Sequence, residues 1–462
     1  MDQITEIIEK ENDISVQLSD EQIRDIVIAI EEQDSDTVNA SVDELSIAET
    51  ADLIAKVDGS QREELLAMCP DTLEPAVLTE LDDELQRQVL NTLDIVDLVQ
   101  IISSADSDDA LNLIESLDDE LQKQVIRKLS TKNRIAVQEG LGFPEDSAGR
   151  LMSREFVAIP QFWSVGKAID YMREVAEDLP EDFFDVYTID PAYHVIGQIP
   201  LNKLVRADRA TKMADIYMED LITLNADMDQ EQVADIFRRD NITSAPVTDG
   251  SGRLIGVITI DDVIDVIDEE AEEDILKMAG VGRADLYKAV WSTTGTRFRW
   301  LFLNLITAIL ASVVISWFDA TIEQIVALAV LMPIVASMGG NAGTQSLTVA
   351  VRALATHEIS RSNMWRMIWK ETLVGSLNGV MFAVITGGVT GFWFGDAMLG
   401  IVIASAMVIT LLIAGFFGAG IPIVIERLGR DPAISSTVFL TTVTDVVGFL
   451  TFLGLASLML IH

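Results

Sequence analysis

The fold is decided near the C-terminus by the stretch TTVTDVVGF, residues 441–449, in which one carboxylate, Asp445, interrupts a long apolar segment. Asp431 and Pro432 are the cap and first-turn residues expected where a helix begins, and the apolar pattern continues to Ile461. At ~1.5 Å per residue such a helix is roughly 45 Å long, which is enough to cross a bilayer. The sequence therefore predicts a membrane-spanning helix with Asp445 close to its midpoint.

Asp445 is costly to place there. A carboxylate at the centre of a membrane helix costs about 2.5–3.5 kcal/mol on insertion scales, and such residues normally face a bundle interior or a water-filled path. One interpretation is a structural aspartate that pairs with a neighbouring helix. The other is a cation site, which the nearby hydroxyls of Thr441, Thr442 and Thr444 favour. We expect that the chain moves a cation across a membrane.

Charge is divided unevenly along the 462 residues. The chain holds 74 acidic and 32 basic residues, a formal net charge of −42, and all but eight of the acidic residues precede residue 298. We therefore expect a soluble, very acidic assembly followed by a membrane domain. An acidic surface of this size repels nucleic acid and attracts hard cations such as Mg²⁺. Adaptation to a salty environment is an alternative explanation of the same composition.

Several classes of protein are disfavoured by the sequence. Cys69 is the single cysteine, which excludes an intrachain disulfide and a cysteine metal cluster. No GxxxxGK[ST] phosphate-binding motif is present, and no combination of nucleophile, base and orienting group indicates an enzyme. The acidic start MDQITEIIEKEND lacks the apolar core of a signal peptide, so we expect the soluble part to stay in the cytoplasm.

An internal repeat marks the first soluble domain. The segment LDDELQRQVLNTL at 81–93 recurs as LDDELQKQVIRKL at 117–129, which is 36 residues later. In both copies the apolar residues return at helical spacing after an aspartate pair. A repeat of this length with only helical signals is typical of stacked helix pairs. We predict an acidic all-α superhelical N domain, an α-solenoid, over residues 10–135, acting as an interaction or regulatory surface.

A second duplication follows it. Residues 195–204 match residues 254–263 at an offset of 59, and each copy is preceded by a helix and a short strand. The order β-α-β-β-α, repeated once, resembles a tandem CBS (cystathionine-β-synthase) pair over residues 137–270. We therefore expect an α/β domain pair in this part of the chain.

The resemblance to CBS domains implies an adenine nucleotide site. In such pairs a Gly-x-x-Thr/Ser-x-x-Asp segment holds the ribose and phosphates, and Gly256, Thr259 and Asp262 fit that pattern. The first copy has Pro200 and Lys203 in place of the hydroxyl and the carboxylate. At most one site for ATP or another adenine nucleotide is therefore expected per chain, and a pair that only dimerises is the alternative.

An acidic connecting helix is predicted next, within residues 261–297. Its apolar residues form one expected stripe: Ile260, Val263, Ile264, Ile267, Ile275 and Leu276. Most of the other positions are carboxylates, and like charges at i,i+4 destabilise a helix by a few tenths of a kcal/mol per pair. Against another acidic surface this helix would move away unless cations intervened. Its place before the first span favours a gate, and a solvated connector is the alternative.

Five spans are predicted in the membrane domain, residues 298–462. They are 300–318, 325–351, 371–394, 399–425 and 432–461. Arginines precede the first span, and lysine and arginine occur in the loops after the second and fourth spans, whereas the other two loops have none. By the positive-inside rule the N-terminus is cytoplasmic and the C-terminus lies outside. We expect a multi-pass protein of the cell inner membrane, embedded in the lipid bilayer.

The second predicted span is unusual. It contains Pro333 and then Gly339, Gly340, Asn341 and Gln345. Proline with several glycines suggests a broken or loosely wound helix, which membranes tolerate where it lines a cavity. Close helix packing through small residues is the alternative. The polar side chains beside the glycines favour a pore lining with backbone carbonyls and the Asn341 oxygen as ligands.

One carboxylate per chain is few for a divalent ion. A two-fold dimer, the commonest oligomer symmetry, brings two Asp445 side chains to one axis. Mg²⁺ loses its water reluctantly and is usually held by one or two carboxylates with waters retained. A homodimer that holds a largely hydrated divalent cation between two Asp445 groups therefore suits this sequence.

The whole pattern resembles the MgtE family of magnesium channels. The specific motifs are the segment from Pro333 to Gln345, the stretch RLGRDPA at 427–433 and the stretch at 441–449. The resemblance implies a homodimer with its pore at the subunit interface. It also implies pore-site roles for Asp445 and Asn341, beside the expected pore lining of Gly339, Gly340, Gln345, Thr441 and Thr444.

The same resemblance implies a gate. The acidic connecting helix is similar to the family's plug, which cytoplasmic Mg²⁺ holds closed between the plug, the CBS pair and the N domain. This implies metal-binding roles for Asp262, Asp265, Glu269 and Glu272. The hypothesis is Mg²⁺ uptake with closure when cytoplasmic Mg²⁺ is replete. Alternatives are transport of Co²⁺, Mn²⁺ or Ni²⁺, and a membrane-tethered Mg²⁺ or nucleotide sensor that transports nothing.

Overall fold

The computed structural model describes residues 18–69, 73–176, 179–180, 183–218, 220–281, 290–356, 358–360 and 362–461, without the side chains of 434–436. Residues 10–17 of the predicted N domain and 282–289 of the predicted linker lie outside the described residues. The chain divides into two compact units, Met1–Glu270 and Ala271–His462.

Short helices form the first part of the first unit. They are α1 (Asp20–Glu31), α2 (Ser35–Val42), α3 (Ile47–Lys56), α4 (Gly59–Met68), α5 (Pro75–Thr79), α6 (Asp83–Thr92), α7 (Ile95–Ser104), α8 (Ser107–Glu115), α9 (Asp119–Lys128), α10 (Thr131–Gly140) and α11 (Ala148–Leu151). Serine and aspartate caps start many of them: Ser46 accepts from the Glu49 amide and Asp58 from the Gln61 amide. The predicted all-α N domain is confirmed.

The internal repeat has a structural counterpart in α6 and α9. Gln86 of α6 donates to the carbonyl of Leu78 at 2.9 Å, and Gln122 of α9 donates to the carbonyl of Ile114 at 3.0 Å. Each glutamine thus satisfies a carbonyl eight residues earlier, at the end of the preceding helix. The same bond in both copies fixes each helix to its predecessor, as expected of stacked helix pairs.

Two small sheets follow. The elements are β1 (Ala158–Pro160), α12 (Val165–Glu174), β2 (Asp185–Ile189), β3 (Val195–Pro200), α13 (Leu201–Arg206), β4 (Leu224–Asn225), α14 (Gln230–Asp240), β5 (Ser244–Thr248) and β6 (Leu254–Thr259). In each sheet the first strand pairs parallel with the second, and the second pairs antiparallel with the third. The register is equivalent: Val186 pairs with Ile199, and Ala245 with Ile258. The predicted repeated α/β pair is confirmed.

Helix α15 (Ile260–Ala279) is the predicted acidic connecting helix and runs from the first unit into the second. Val263 and Val266 are buried against the second sheet, whereas Ile264 and Ile275 are 52% and 64% exposed. The predicted apolar stripe was therefore wrong at these two isoleucines. Val263 and Val266 define the buried face. Ile264 is turned about 100° from Val263, and Ile275, nine residues after Val266, is turned about 180° from it.

The second unit is a bundle of long helices. They are α16 (Val290–Ser316), the short α17 (Asp319–Gln324), α18 (Ala327–Ala355), α19 (Met364–Phe394), α20 (Ala397–Arg427) and α21 (Pro432–Leu460). Five of them are long and apolar enough to cross a membrane. Helix α20 packs against α18, α19 and α21, and α21 also packs against α16 and α18. The five predicted spans are confirmed.

Helix α18 differs from the prediction of a broken span. It is helical from Ala327 to Ala355, with Pro333 inside it. Its glycines serve close packing instead: a Cβ on Gly339 would lie 2.7 Å from Thr410 Cγ2, and one on Gly418 of α20 would lie 2.6 Å from the Gly343 carbonyl oxygen. The alternative of small-residue packing therefore explains Gly339 and Gly343, while Gly340 faces open space.

Candidate cation sites

Asp445 lies on α21 and is half-buried. Among the residues that the structure describes, no cation and no hydrogen-bond donor pairs with its carboxylate. The hydroxyls expected to favour a cation bind their own helix instead. Those of Thr441, Thr442 and Thr444 donate to the carbonyls of residues 437, 438 and 440 at 3.0, 2.7 and 3.0 Å. Their oxygen lone pairs remain able to accept, and the Asp445 carboxylate is left unneutralised.

Three helices meet beside this segment at small residues. A Cβ on Gly448 of α21 would lie 3.6 Å from Thr410 Cγ2 of α20, the same methyl that faces Gly339 of α18. Thr410 is 1% exposed, and no group in the described part of the chain bonds to its hydroxyl. Thr444 is also 1% exposed. Thr410 was not predicted as a site residue from the sequence, although it is a threonine within an apolar span.

The predicted pore-lining residues of α18 divide into two sets. Gly339 is buried within the chain, whereas Asn341 and Gln345 are exposed on its surface. The Asn341 amide lies 3.5 Å from the Ser337 hydroxyl, and no hydrogen bond joins Asn341 to Asp445 within the chain. The structure therefore places these polar groups on an outer face of the bundle.

A second buried carboxyl group lies in the membrane unit. Glu371 of α19 is 8% exposed and accepts a 2.9 Å hydrogen bond from the Ser346 hydroxyl of α18. Helix α20 makes room for this pair with two glycines. A Cβ on Gly415 would lie 2.5 Å from the Glu371 carbonyl oxygen, and one on Gly418 would lie 2.9 Å from Ser346 Cβ. From the sequence, Glu371 was predicted only as the first residue of a span.

In the first unit, α8 is anchored to the CBS pair. The amide and hydroxyl of Ser107 donate to Glu155 at 3.1 and 2.7 Å, and the hydroxyl accepts from the Arg154 amide at 2.7 Å. Ser107 opens α8, so the next two residues, Asp108 and Asp109, are carried to the first turns of α15. We call the side chains that meet there the acidic cluster: Glu80, Asp106, Asp108, Asp109, Asp261, Asp262 and Asp265.

Burial and mutual repulsion act together in the acidic cluster. Burial raises the pKa of Asp109 to about 6, and the charges of Asp106, Asp261 and Asp265 add to the effect. Burial, followed by the charge of Asp261, raises the pKa of Asp262 to about 7. A carboxylate is desolvated and faces like charges here, so its neutral form is favoured.

The pKa values of two further members of the acidic cluster are also raised. Burial and then the charge of Asp262 raise the pKa of Asp108 well above its usual range. Burial raises the pKa of Asp265, with Glu80 and Glu269 as the next contributors. Oδ1 of Asp108 is fully buried and has no hydrogen-bond partner among the described residues. A cation placed between these groups would stabilise their anionic forms.

The four predicted gate residues are therefore not equivalent. Asp262 and Asp265 belong to the acidic cluster, and Glu269 acts on it through its charge on Asp265. Glu272 is exposed on α15. Within the described residues, no three His, Cys, Asp or Glu side chains have the arrangement of a metal coordination shell. The cluster is thus a set of mutually repelling carboxylates shared by the N domain and the first turns of α15.

The residues expected to bind a nucleotide contact other groups of the chain. The Thr259 hydroxyl donates to Asp262 at 2.9 Å, and a Cβ on Gly256 would lie 2.5 Å from the Met152 sulfur. The described part of the CBS pair has an open cleft elsewhere, with a volume of about 830 Å³. Its lining includes Phe183, Asp185, Gln198, Arg206, Met218 and Ser244. Asp185 accepts a 2.7 Å hydrogen bond from Ser244 at its edge.

Family models match three parts of the chain. The MgtE family model, described as a divalent cation transporter, matches residues 332–455, the MgtE intracellular N domain matches 45–146, and the CBS domain matches 213–269. The chain is 29% identical to a crystal structure of the cytosolic domain of the Mg²⁺ channel MgtE in complex with ATP. That alignment covers 52% of this chain and 97% of the other, with a TM-score of 0.49.

Curated relatives match over most of their length. The magnesium transporter MgtE of Bacillus subtilis is 34% identical over 351 residues, which are 76% of this chain and 78% of that protein. The magnesium transporter MgtE of Thermus thermophilus is 33% identical over 358 residues, with the same coverage of 76% and 78%. With its five apolar helices the chain is a multi-pass membrane protein, and it belongs to the MgtE family of magnesium transporters.

Proposed function

We propose that this protein carries Mg²⁺ into the cytoplasm through a pore formed by a homodimer. The observation that carries the proposal is the Asp445 carboxylate, which lies midway along an apolar helix with no pairing group among the described residues. An isolated carboxylate in a membrane marks an ion path rather than a structural contact. Two protomers around a two-fold axis would present two such groups to one hydrated cation.

The exposed face of α18 supports the homodimer. Asn341 and Gln345 are polar, lie within an apolar span and are exposed on the single protomer. Contact with lipid would leave these amides without hydrogen-bond partners, which is costly in hydrocarbon. A second protomer, or water between two protomers, satisfies them. Asn341 then provides a neutral oxygen ligand beside the Asp445 carboxylates.

The direction of transport follows from charge and topology. The distribution of lysine and arginine supports a topology with the soluble unit in the cytoplasm and the C-terminus outside the inner membrane. A membrane potential of 100 mV, negative inside, is worth about 4.6 kcal/mol for a doubly charged ion. Uptake therefore proceeds down the electrochemical gradient without a nucleotide-hydrolysing domain.

The acidic cluster provides the gate. Asp108 and Asp109 of α8 face Asp262 and Asp265 of α15, so the two surfaces repel each other when all four are ionised. Cytoplasmic Mg²⁺ neutralises them and holds α15 in place, with Glu269 and Glu272 extending the acidic surface along the helix. When Mg²⁺ is scarce the surfaces separate, α15 moves and the pore opens.

An adenine nucleotide is the second ligand that we propose. Gly256, Thr259 and Asp262 carry the sequence pattern, but Thr259 and Asp262 bind each other and Gly256 packs on Met152. The 830 Å³ cleft with Phe183 and Arg206 in its lining is the better location, since it combines an aromatic surface with a cation. Titration of the protein with ATP, comparing Arg206→Ala with Thr259→Ala, distinguishes the two places.

The proposed transport is tested by Mg²⁺ flux into liposomes that contain the purified full chain. Flux should be present at micromolar Mg²⁺ on the cytoplasmic side and absent at millimolar Mg²⁺. Competition with Co²⁺, Mn²⁺ and Ni²⁺ tests the ion, because a site of oxygen ligands without His or Cys favours hard cations. Absence of flux under all conditions would favour a sensor that transports nothing.

A further inference from the structure

Lys277 lies near the C-terminal end of α15 and forms ion pairs with two carboxylates. Its Nζ lies 2.5 Å from Glu273 Oε1 on the same helix and 3.0 Å from Asp431 Oδ2. Its side chain is 26% exposed and that of Asp431 is 31% exposed, so the pair is partly shielded from water. Burial opposes ionisation of Lys277, but the bonds to Glu273 and Asp431 raise its pKa above the ordinary value. The lysine is therefore held as a cation between two carboxylates.

The Asp431 side chain bonds to two helices. Its Oδ1 accepts a 2.8 Å hydrogen bond from the Ala433 amide and so caps the first turn of α21. Its Oδ2 accepts from Lys277 of α15. One side chain thus starts the helix that carries Asp445 and also binds the end of the connecting helix.

A second group of contacts lies one residue further along α15. The Thr437 hydroxyl of α21 donates to the Met278 carbonyl at 3.1 Å. The Met278 side chain packs into an apolar cluster with Leu347 and Val351 of α18 and with Ala433 and Leu440 of α21. The end of α15 therefore rests on the two helices that carry the candidate pore residues.

The chain turns sharply just after these contacts. Gly280 has a positive φ of 69°, and its amide donates to the Lys277 carbonyl at 3.0 Å. A Cβ there would collide with the Trp300 indole of α16. Because only glycine fits this turn, the C-terminal end of α15 is positioned by α16 at Gly280 and by α21 at Lys277 and Met278.

We propose that Lys277 is the positioning residue that couples α15 to the pore helix through Asp431. Fourteen residues separate Asp431 from Asp445, which is about 21 Å of continuous helix. A helix of this kind moves as a rigid body, so a displacement of its N-cap residue Asp431 also displaces the Asp445 carboxylate. The inference rests on the proposed transport and gating and assigns to Lys277 the transmission between them.

The substitution Lys277→Met removes the charge and keeps an apolar stem of similar length. Flux at low cytoplasmic Mg²⁺ should be unchanged, because Lys277 does not line the pore. Closure should need roughly tenfold more Mg²⁺, as expected when a charge-assisted hydrogen bond is lost. Lys277→Arg should restore the wild-type inhibition curve. Lys123→Met, which alters an exposed pair with Glu120 on the N domain, is the matched control.

Asp431→Asn provides an independent variant that should fold. Asparagine is as good a helix cap as aspartate, so α21 starts normally while the bond to Lys277 loses its charge. The variant should shift the inhibition curve in the same direction as Lys277→Met, and the double variant should add little to either single change. Additive shifts, or wild-type curves for both single variants, would overturn the proposal.

Amide hydrogen exchange separates failure of this inference from failure of the proposed transport. In Lys277→Met, exchange in the first two turns of α21 should be faster than in wild type, whatever the flux. If wild type neither conducts nor closes, the transport proposal fails. Amide exchange in α21 of Lys277→Met then tests by itself whether Lys277 couples α15 to α21. If wild type conducts and closes but exchange and inhibition are both unchanged in the variant, Lys277 has no positioning role.

Discussion

The Ser346 hydroxyl donates a 2.9 Å hydrogen bond to the Glu371 carboxyl group, and both residues are buried between helices of the membrane unit. Glu371 is thus an acidic residue inside a span whose partner is visible. It contrasts with Asp445, which has no partner in the described part of the chain. These two carboxyl groups therefore differ: Glu371 of α19 is bonded to α18 through Ser346, whereas for Asp445 we propose a role facing the ion.

This contrast predicts a stability effect for Ser346→Ala. Removal of the hydroxyl leaves a buried acceptor without its donor, which costs about 1–3 kcal/mol. The variant should unfold at a lower temperature in detergent, and Glu371→Gln should be milder because its amide can still bind Ser346. A double variant, Ser346→Ala with Glu371→Leu, should recover part of the loss. Equal unfolding temperatures for all variants would contradict a structural role for the pair.

The glycines of α20 predict a position-specific response to alanine. A Cβ on Gly418 would lie 2.6 Å from the Gly343 carbonyl oxygen, whereas a Cβ on Gly420 meets nothing within 4 Å. Gly418→Ala should destabilise the bundle by about 1–3 kcal/mol through overpacking. Gly420→Ala should be neutral or slightly stabilising, because alanine is the better helix former. Thermal unfolding of the two variants side by side measures the difference.

Removal of one charge from the acidic cluster should imitate bound Mg²⁺. In Asp262→Asn the first unit loses a buried carboxylate that repels Asp261 and Asp109, so it should be more stable without Mg²⁺ than wild type. Adding Mg²⁺ should stabilise the variant less than it stabilises wild type. Thermal unfolding of the full chain with EDTA and with 10 mM Mg²⁺ supplies both quantities. The control is Glu120→Gln, an exposed carboxylate of the N domain. A variant less stable than wild type in EDTA would refute this account.

The raised pKa values predict a pH dependence with a definite sign. Asp109 titrates at about 6 and Asp262 at about 7 in the folded protein, above the ordinary value near 4 for an aspartate. The folded state therefore binds more protons than the unfolded state between those values. Without Mg²⁺, this contribution to stability is fully present below about pH 4 and is lost as the pH rises through 6 to 7.

The measurement is hydrogen exchange of α8 and of the start of α15 in EDTA. Exchange there should be slower at pH 6 than at pH 8 after correction for the intrinsic rates, and Mg²⁺ at pH 8 should restore the protection. Protection that increases from pH 6 to pH 8 in EDTA would contradict the pKa directions.

Local patterns in the sequence predicted much of the fold. The repeat at 81–93 and 117–129, the duplicated strands of the CBS pair and the five spans each depend on periodicity within a short segment, and the structure has all three. Helix α18 was harder to predict. Pro333 and the glycines after it suggested a break, but α20 supplies matching glycines such as Gly418. Whether a glycine loosens a helix or admits a neighbour depends on that neighbour.

The acidic cluster could be predicted only in part. The carboxylates of α15 were evident from the run after Ile260, and they indicated a cation-dependent gate. Their partners, Asp108 and Asp109, lie about 150 residues earlier and meet α15 through the bonds of Ser107 to the CBS pair. Lys277 and Asp431 are also far apart in the sequence. Such pairs are set by tertiary packing, and no local pattern in the sequence indicates them.

Mg²⁺ flux through Asp445→Asn tests the central claim most directly. Asparagine keeps the shape of the side chain and removes the charge, so an unchanged unfolding temperature would show that the fold is intact. Asp396→Asn is the matched control, since Asp396 caps α20, asparagine caps equally well, and the residue lies outside the proposed path.

The two variants are reconstituted in liposomes with equal protein, a fixed inside-negative potential and micromolar Mg²⁺ on the cytoplasmic side. We expect flux through Asp445→Asn to fall to the level of empty liposomes, while Asp396→Asn stays within about twofold of wild type, as a surface substitution should. Wild-type flux through a folded Asp445→Asn protein would contradict the assignment of Asp445 to the ion path.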